Sequence, residues 1–187
     1  RINKGELPDL FVKPDGTRIS SPEEWPECAE AWGDMILHME YGGFPPMPEE
    51  VTFEKLCSPM FTKWEKPIRN WSYKINCFAG NEKLSFSVKV MTPEGDGPFP
   101  VIIVGDECWM GLSNDIAKQV IANGCALIKF NRTEVAEDLG RTGDNRTGGL
   151  WEMYDTSFSA LSAWAWAYHR CVDLVEQLDF LDPDHIA

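Results

Sequence analysis

The apolar positions that follow residue 20 predict an amphipathic helix. They recur with i, i+3, i+4 spacing, which is the helical period: Trp25, Cys28, Ala29, Trp32, Met35, Ile36 and Met39. Ser21 followed by Pro22 is typical of a helix start, and the pair Gly42-Gly43 is typical of a helix end. Because this apolar face is wide and aromatic, we expect it to pack against a large surface.

Strict alternation of apolar and polar residues predicts a β-hairpin further along the chain. One alternating run precedes the dipeptide Gly80-Asn81 and a second follows it: Trp71, Tyr73, Ile75 and Cys77, then Leu84, Phe86, Val88 and Val90. Two such runs around a Gly-Asn turn are typical of a hairpin. Since alternation leaves one face exposed to water, we expect this hairpin to form the edge of the sheet. Residues 51–57 are a further candidate strand.

Two continuous apolar runs predict strands that are buried on both faces. They cover residues 100–105 and 125–130, and a helical pattern that ends at Asn123-Gly124 lies between them. Continuous apolar strands are typical of parallel sheets covered by helices. A strand, a helix and a strand within about 30 residues form a βαβ unit. The sequence therefore predicts an α/β fold.

The remainder of the chain predicts a long connection, a helix and one more strand. Residues 131–156 are polar and glycine-rich, and we expect a connection without regular structure there. Residues 156–178 have a helical pattern whose first half is apolar nearly all round, so we expect burial on more than one side. Residues 185–187 resemble the start of a strand. We divide the chain into an N-terminal arm (1–20) and one domain (21–187).

Charge and composition exclude two classes of partner. The 187 residues include 17 Lys and Arg against 30 Asp and Glu, a net charge of −13, without a basic cluster that could bind nucleic acid. The apolar runs are much shorter than the roughly 18 to 20 residues of a membrane span. We therefore expect no nucleic acid and no membrane as partners. No signal peptide is visible in the chain, so the compartment stays open.

Motif searches give no catalytic constellation within the chain. No G-x-S-x-G, Walker loop, G-x-G-x-x-G or helical H-E-x-x-H is present, and the three histidines favour structural roles. We therefore expect no catalytic residue, no metal site and no cofactor. The six cysteines form no C-x-x-C pair, and their apolar neighbours favour buried free thiols over the alternative of disulfides.

The best candidate site is the loop that follows the first buried strand. It contains Gly105, Asp106, Glu107 and Trp109. Binding sites of open α/β sheets gather at the carboxyl ends of the strands, so this loop either borders a site and offers backbone N–H groups, or is a solvated turn. A second set of charges in the long connection could orient a carboxylate or form loop ion pairs: Asp138, Arg141, Asp144 and Arg146.

Three stretches resemble the glucuronoyl esterases and related acetylxylan-esterase-like proteins, which are α/β-hydrolases. The first runs from Pro22-Glu23-Glu24-Trp25 to Tyr41-Gly42, and the second is Phe99-Pro100-Val101-Ile102-Ile103. The third and most specific is the Ala-Trp-Ala-Trp helix of residues 160–168, followed by Arg170, Asp173 and the ending Leu181-Asp182-Pro183-Asp184-His185-Ile186-Ala187. The resemblance covers residues 20–187.

This resemblance implies the N-terminal portion of an α/β-hydrolase fold, with an edge β-hairpin, then parallel strands with flanking helices, and with the nucleophile strand onward missing. In the family the nucleophile is a serine in G-x-S-R-x-G, which would fall a few residues past Ala187, and the acid and histidine follow later. The loop of Gly105, Asp106, Glu107 and Trp109 would supply an oxyanion N–H or a pocket wall.

The implied function is hydrolysis of a 4-O-methyl-glucuronoyl ester, or of an acetyl ester of xylan, in plant cell walls. We expect the chain to be an inactive fragment whose strand at residues 101–104 is a bare edge, covered by the missing C-terminal half or by a second copy. The resemblance also favours a secreted protein. The alternatives are a complete, non-enzymatic small α/β interaction domain and a flavodoxin-like enzyme.

Overall fold

A computed structural model describes residues 7–138, 146–155 and 157–187 of the chain. The helices in the described part are α1 (Trp25–Tyr41), α2 (Asn114–Ala122), α3 (Gly149–Met153) and α4 (Ala160–Glu176). The strands are β1 (Glu50–Cys57), β2 (Met60–Lys63), β3 (Lys66–Ala79), β4 (Glu82–Thr92), β5 (Phe99–Val104), β6 (Ala126–Phe130) and β7 (Leu181–Ile186). Short 3₁₀ turns lie at Pro22–Glu24 and Arg132–Glu134.

The described strands form one mixed sheet in the order β1-β3-β4-β6-β5-β7, with β2 also paired to β3. The predicted hairpin is β3–β4, which are antiparallel and turn at Gly80 and Asn81. The expected edge position of the hairpin was wrong, because β1 and β2 both pair with the outer side of β3. Alternating burial on β4 reflects water on one face rather than a free edge.

The βαβ unit is confirmed, since β5 and β6 are parallel and joined through α2. Successive residues of β5 face two different apolar clusters, as expected for a strand between two helical layers. Val101 and Ile103 belong to the larger cluster, which includes α4, while Ile102 and Val104 pack against the smaller one beneath α2.

The expected bare edge at residues 101–104 was wrong, because β7 lies parallel to β5 on the side opposite β6. The N–H of Ala187 donates to the carbonyl oxygen of Val101 at 2.9 Å, and the carbonyl oxygen of Ala187 accepts from the N–H of Ile103 at 2.8 Å. The predicted strand at residues 185–187 exists, but it begins earlier than expected, at Leu181. Its pairing with β5 satisfies the backbone groups that we expected to be exposed.

Helix α1 forms as predicted, but its apolar face does not pack on a large surface within the described part of the chain. Cys28 is its one buried residue, and Trp25, Ile36 and Met39 are exposed. The arm covers the first half of the helix: the Cys28 thiol lies 3.3 Å from the Leu10 carbonyl oxygen, and the indole N–H of Trp32 donates to the Val12 carbonyl oxygen at 2.9 Å. The boundary between arm and domain at residue 20 stays a prediction.

Two expectations about the second half of the chain also need correction. The connection over 131–156 contains regular structure, because α3 lies within it and buries Leu150, Trp151 and Met153. Helix α4 is buried along one face instead of several, and Leu161 on its outer side is 56% exposed. A helix that forms the layer outside a sheet buries only the face that is turned to the strands.

No helix of the described residues is long and apolar enough to cross a membrane. The six cysteines are free thiols, of which Cys28, Cys77 and Cys171 are buried and Cys57 is exposed. The prediction of buried thiols therefore applies to half of them. Burial raises the pKa of the Cys77 thiol to about 12 and also raises that of Cys171.

Candidate functional site at the carboxyl ends of the parallel strands

The candidate site lies where three parallel strands end side by side. Strand β5 lies between β6 and β7 and is parallel to both, so the segments that follow β5 and β6 meet at one edge of the sheet. These segments are the loop of residues 105–111, called the β5 loop below, and the turn that begins at Asn131. An isolated bridge between Asp106 and Asn131 connects them. Open α/β sheets bind ligands at this edge.

Gly105, the first residue of the β5 loop, is enclosed by two aromatic rings. Its N–H donates to the Tyr168 hydroxyl at 2.8 Å. A Cβ atom at this position would lie 2.9 Å from the ring of Phe130 and 3.0 Å from the Tyr168 hydroxyl oxygen. The two rings contact each other edge to face, with centroids 5.0 Å apart. Glycine is therefore the residue that fits here without displacement of either ring.

Asp106 organises the loop through its carbonyl and its carboxylate. The carbonyl oxygen accepts from the N–H groups of Trp109 and Gly111, both at 2.9 Å, which folds residues 106–111 into a tight turn. The carboxylate forms an ion pair with the Arg132 guanidinium. Asp106 therefore connects the β5 loop to the turn after β6.

Glu107 anchors the loop to neighbouring strands. Its carboxylate accepts from Lys129 at 2.9 Å and lies 3.7 Å from the Lys89 ammonium group. Its backbone N–H donates to the carbonyl oxygen of Phe130 at 3.3 Å. These contacts extend the pairing of β5 and β6 beyond the last strand residues.

The tip of the loop presents two apolar side chains to solvent. Trp109 is 62% exposed and Met110 is 97% exposed. Met110 has a φ of 134°, a region that residues with a side chain rarely adopt. The internal hydrogen bonds of the loop hold this conformation, so the tip is presented by a well-anchored segment.

Four backbone donors of this loop are engaged within the chain. The N–H groups of Gly105, Glu107, Trp109 and Gly111 each have an acceptor, as described above. An incoming oxyanion would have to replace one of those acceptors before it could use these donors. The oxyanion and pocket-wall roles of Gly105, Asp106, Glu107 and Trp109 therefore stay predictions.

The structure adds residues that the sequence reasoning missed. Arg132 and Trp164 lie together, with the guanidinium 4.3 Å from the centre of the indole ring, and Tyr168 lies one helical turn after Trp164. Arg132 could have been found, because it follows a buried strand as directly as Asp106 does. The two aromatic residues gave no such signal, since aromatic residues in helices usually fill the core.

The second predicted set of charges is described only for Arg146 and Asp138. Arg146 donates to the carbonyl oxygens of Ser157 at 3.1 Å and Phe158 at 3.0 Å, which fastens the connection to the segment before α4. Asp138 also has an interaction within the chain. Arg141 and Asp144 lie outside the described residues. Among the described residues, no group of three or more His, Cys, Asp or Glu could hold a metal ion.

The sheet order and the clustered strand ends define the class as the α/β-hydrolase fold, of which this chain forms the N-terminal portion. The family model described as "Glucuronyl esterase, fungi" matches residues 75–187. That match includes more than half of the chain, so the chain belongs to the glucuronoyl esterase family.

Individual relatives agree with this assignment. A 4-O-methyl-glucuronoyl methylesterase of Thermothelomyces thermophilus is 29% identical over 95% of this chain and 39% of its own length. A mutant glucuronoyl esterase from Sporotrichum thermophile has been solved in complex with methyl 4-O-methyl-beta-D-glucopyranuronate. It is 25% identical to this chain with a TM-score of 0.72, and the match covers 96% of this chain and 44% of the Sporotrichum chain.

A bacterial glucuronoyl esterase from Teredinibacter turnerae shares the fold at 17% identity, with a TM-score of 0.75, and covers 97% of this chain and 49% of that chain. The chain thus spans about two-fifths of the length of the curated relative from Thermothelomyces and about half of these solved structures.

Proposed function

We propose that this chain forms the N-terminal part of a serine carboxylic-ester hydrolase that acts on a 4-O-methyl-glucuronoyl ester of plant cell-wall polysaccharide. The observation that carries the proposal is the family match over residues 75–187, since this segment includes β5, β6 and β7 with their clustered carboxyl ends. In such an enzyme a serine attacks the ester carbonyl, a histidine transfers protons, and water hydrolyses the acyl-enzyme. An acetyl ester of xylan is the second candidate substrate.

In this proposal the chain supplies one wall of the acyl-transfer pocket. The wall consists of Gly105, Asp106, Glu107 and Trp109, which the ion pairs and hydrogen bonds described above hold in place. A wall held in one conformation favours catalysis because it can keep the substrate in one position relative to the nucleophile.

The serine nucleophile belongs to the remaining part of the hydrolase, which is the partner we propose for this chain, with a second copy as the alternative. Among the described residues, none of the serine hydroxyls with a defined hydrogen bond donates to a histidine, the general base of the triad. Ser85 donates to the Asn76 amide oxygen and Ser162 to the Gly43 carbonyl oxygen, whereas Ser20 and Ser157 donate to nearby carboxylates. His185 instead pairs with Asp182 at 2.8 Å. We therefore expect no ester hydrolysis by the chain alone.

The proposal is tested by assaying the 187-residue chain and the full product of its gene side by side. The substrates are methyl 4-O-methyl-glucuronate, acetylated xylan and p-nitrophenyl acetate. We expect the full product to hydrolyse the glucuronate ester most efficiently and the isolated chain to hydrolyse none of the three.

Two outcomes would contradict the proposal. Hydrolysis by the isolated chain that disappears when one of its own serines is replaced would place the nucleophile within these residues. A folded full product without activity on any of the three esters would favour the non-enzymatic interaction domain instead.

A further inference from the structure

We infer that Arg132 is a positioning residue that fixes the shape of the β5 loop in the proposed acyl-transfer pocket. The inference rests on the proposed function for its catalytic consequence, but the effect on the loop can be measured separately. Arg132 lies on the turn after β6, and its backbone and its side chain each contact a residue at the start of the β5 loop.

The first observation is that Arg132 holds two consecutive loop residues. Its backbone N–H donates to the carbonyl oxygen of Gly105 at 3.1 Å, and its guanidinium pairs with the carboxylate of Asp106. The two residues of the ion pair follow adjacent parallel strands, so the pair spans the gap between the ends of β5 and β6. Displacement of Arg132 would therefore release both the side chain and the backbone at the start of the loop.

The second observation is that the guanidinium is itself held in one orientation. It lies 4.3 Å from the centre of the Trp164 ring, and the indole N–H of Trp164 donates to the carbonyl oxygen of Ala136 at 2.8 Å. The Arg132 side chain is 20% exposed and that of Asp106 is 46% exposed. Because the guanidinium is partly removed from water, its pairing with Asp106 is screened less than a pair on the open surface.

A buried polar atom without a partner supports the same role. The Nε atom of Arg132 is buried and makes no hydrogen bond. Such an atom destabilises the fold, so its presence needs an explanation. The explanation offered by the geometry is that stacking on Trp164 and pairing with Asp106 together dictate the orientation of the guanidinium, which leaves Nε turned away from any acceptor.

The consequence for the loop follows from the two roles of Asp106. Its carboxylate is the group that Arg132 holds, and its carbonyl oxygen is the acceptor for the N–H groups of Trp109 and Gly111. Loss of the ion pair removes a side-chain anchor of Asp106, so the backbone of this residue can move more easily and both acceptor bonds are weakened. Lysine would keep the charge but would lose the planar group that stacks on Trp164.

The test is hydrogen exchange, read by mass spectrometry on peptides that cover residues 105–111, in the chain and its variants. We expect Arg132→Met to accelerate exchange at Trp109 and Gly111 by about ten-fold, since a local opening becomes easier while the global stability changes less. Arg132→Lys should lie between Arg132→Met and the parent chain. Asp106→Asn should also accelerate exchange in this peptide. This variant replaces Arg132→Met in the test if Arg132→Met does not fold.

The matched control is Arg69→Met. Arg69 also lies over a tryptophan, 5.2 Å from the ring centre of Trp71, but it is on β3 and has no bond to the β5 loop. We expect its removal to leave exchange in residues 105–111 unchanged. Unchanged exchange in folded Arg132→Met and Asp106→Asn, or equal acceleration in Arg69→Met, would overturn the inference.

A kinetic measurement separates this inference from the proposed function. In the full gene product we expect Arg132→Met to lower kcat by about ten-fold and to change KM by less than about two-fold, because a misplaced loop weakens contacts made in the transition state. If the parent protein hydrolyses no ester while the exchange result holds, the proposed function fails and the loop role stands. A higher KM at unchanged kcat would contradict the positioning role.

Discussion

Helices α1 and α4 are each 17 residues long and carry an apolar face with tryptophan, yet the structure buries them very differently. Eight residues of α4 are buried, including Trp166, whereas Cys28 is the one buried residue of α1. The difference follows from connectivity. Helix α4 lies in the connection between the strands β6 and β7. Helices that connect parallel strands in this way pack on the sheet. Helix α1 precedes the first strand and has no such constraint.

The two helices are joined at one end by polar contacts. The carbonyl oxygen of Tyr41 accepts from the N–H of Ser159 at 2.7 Å, and the Gly43 carbonyl oxygen accepts from the Ser162 hydroxyl at 2.8 Å. The indole N–H of Trp166 donates to the Pro46 carbonyl oxygen at 2.8 Å. The end of α1 is therefore fixed to α4 while its outer face stays open, which indicates that an amphipathic pattern alone does not determine the depth of burial.

The largest expected effect is the loss of the buried tryptophan of α4. Trp166 has no exposed surface, so Trp166→Ala should lower the free energy of unfolding by about 3 to 5 kcal/mol through lost burial and a cavity. The measurement is urea denaturation followed by circular dichroism.

The matched substitution on the other helix is Trp25→Ala. Trp25 is 39% exposed, and its ring lies 5.7 Å from that of Phe11. We expect a loss of about 1 kcal/mol or less. Equal losses for the two variants would contradict the contrast between the helices.

A smaller effect is expected at the junction between the helices. Gly42 ends α1 with a φ of 72°, and a Cβ atom there would collide with the backbone carbonyl of Ser157. Gly42→Ala should therefore cost about 2 to 3 kcal/mol from the left-handed conformation and the collision together.

The control for this variant is Gly33→Ala in the middle of α1. A Cβ atom at Gly33 would have open space around it, and alanine favours a helix interior over glycine by about 1 kcal/mol. We expect a stabilisation of up to that amount in the same denaturation experiment. A stabilising Gly42→Ala would show that α1 is not fixed to the segment before α4 in this way.

The smallest expected effect is a difference in cysteine reactivity between α1 and α4, which can be measured without a substitution. Cys28 of α1 and Cys171 of α4 are both fully buried, but Cys28 lies under the arm, whereas Cys171 lies in the main core. In native alkylation with iodoacetamide at pH 8, we expect the exposed Cys57 to react first and the partly exposed Cys108 and Cys125 next. Among the buried thiols, we expect Cys28 to react before Cys77 and Cys171. The arm should open at lower free energy than the core, and the raised pKa values of Cys77 and Cys171 leave little thiolate.

Peptide mapping by mass spectrometry gives the order of modification. Alkylation of Cys28 and Cys171 at equal rates would indicate that the arm and the core open together. That result would contradict the expected difference between α1 under the arm and α4 in the main core.

The sequence predicted those parts of the fold that depend on local pattern. The β3–β4 hairpin, the strands β5 and β6 and the helix between them all followed from apolar periodicity and turn residues. Strand β2 was missed because it is short and its turn consists of Trp64 and Glu65, which have φ of 53° and 64° without the usual Gly or Asn.

The candidate site was predictable only in part. The β5 loop follows a buried strand, which is a signal in the sequence itself. The pairing of Asp106 with Arg132 is not, since 26 residues separate them and only the parallel arrangement of β5 and β6 brings them together. The exposure of the apolar face of α1 also could not be predicted from the sequence pattern, because it depends on what packs against the helix.

We propose that this chain builds one wall of an acyl-transfer pocket and that the reactive serine lies outside it. The most direct measurement is the intact mass of the folded chain after incubation with a fluorophosphonate, which phosphonylates activated serine nucleophiles. We expect an unchanged mass for the chain and a single adduct, outside residues 1–187, for the full gene product. A stoichiometric adduct on any serine of this chain would contradict it.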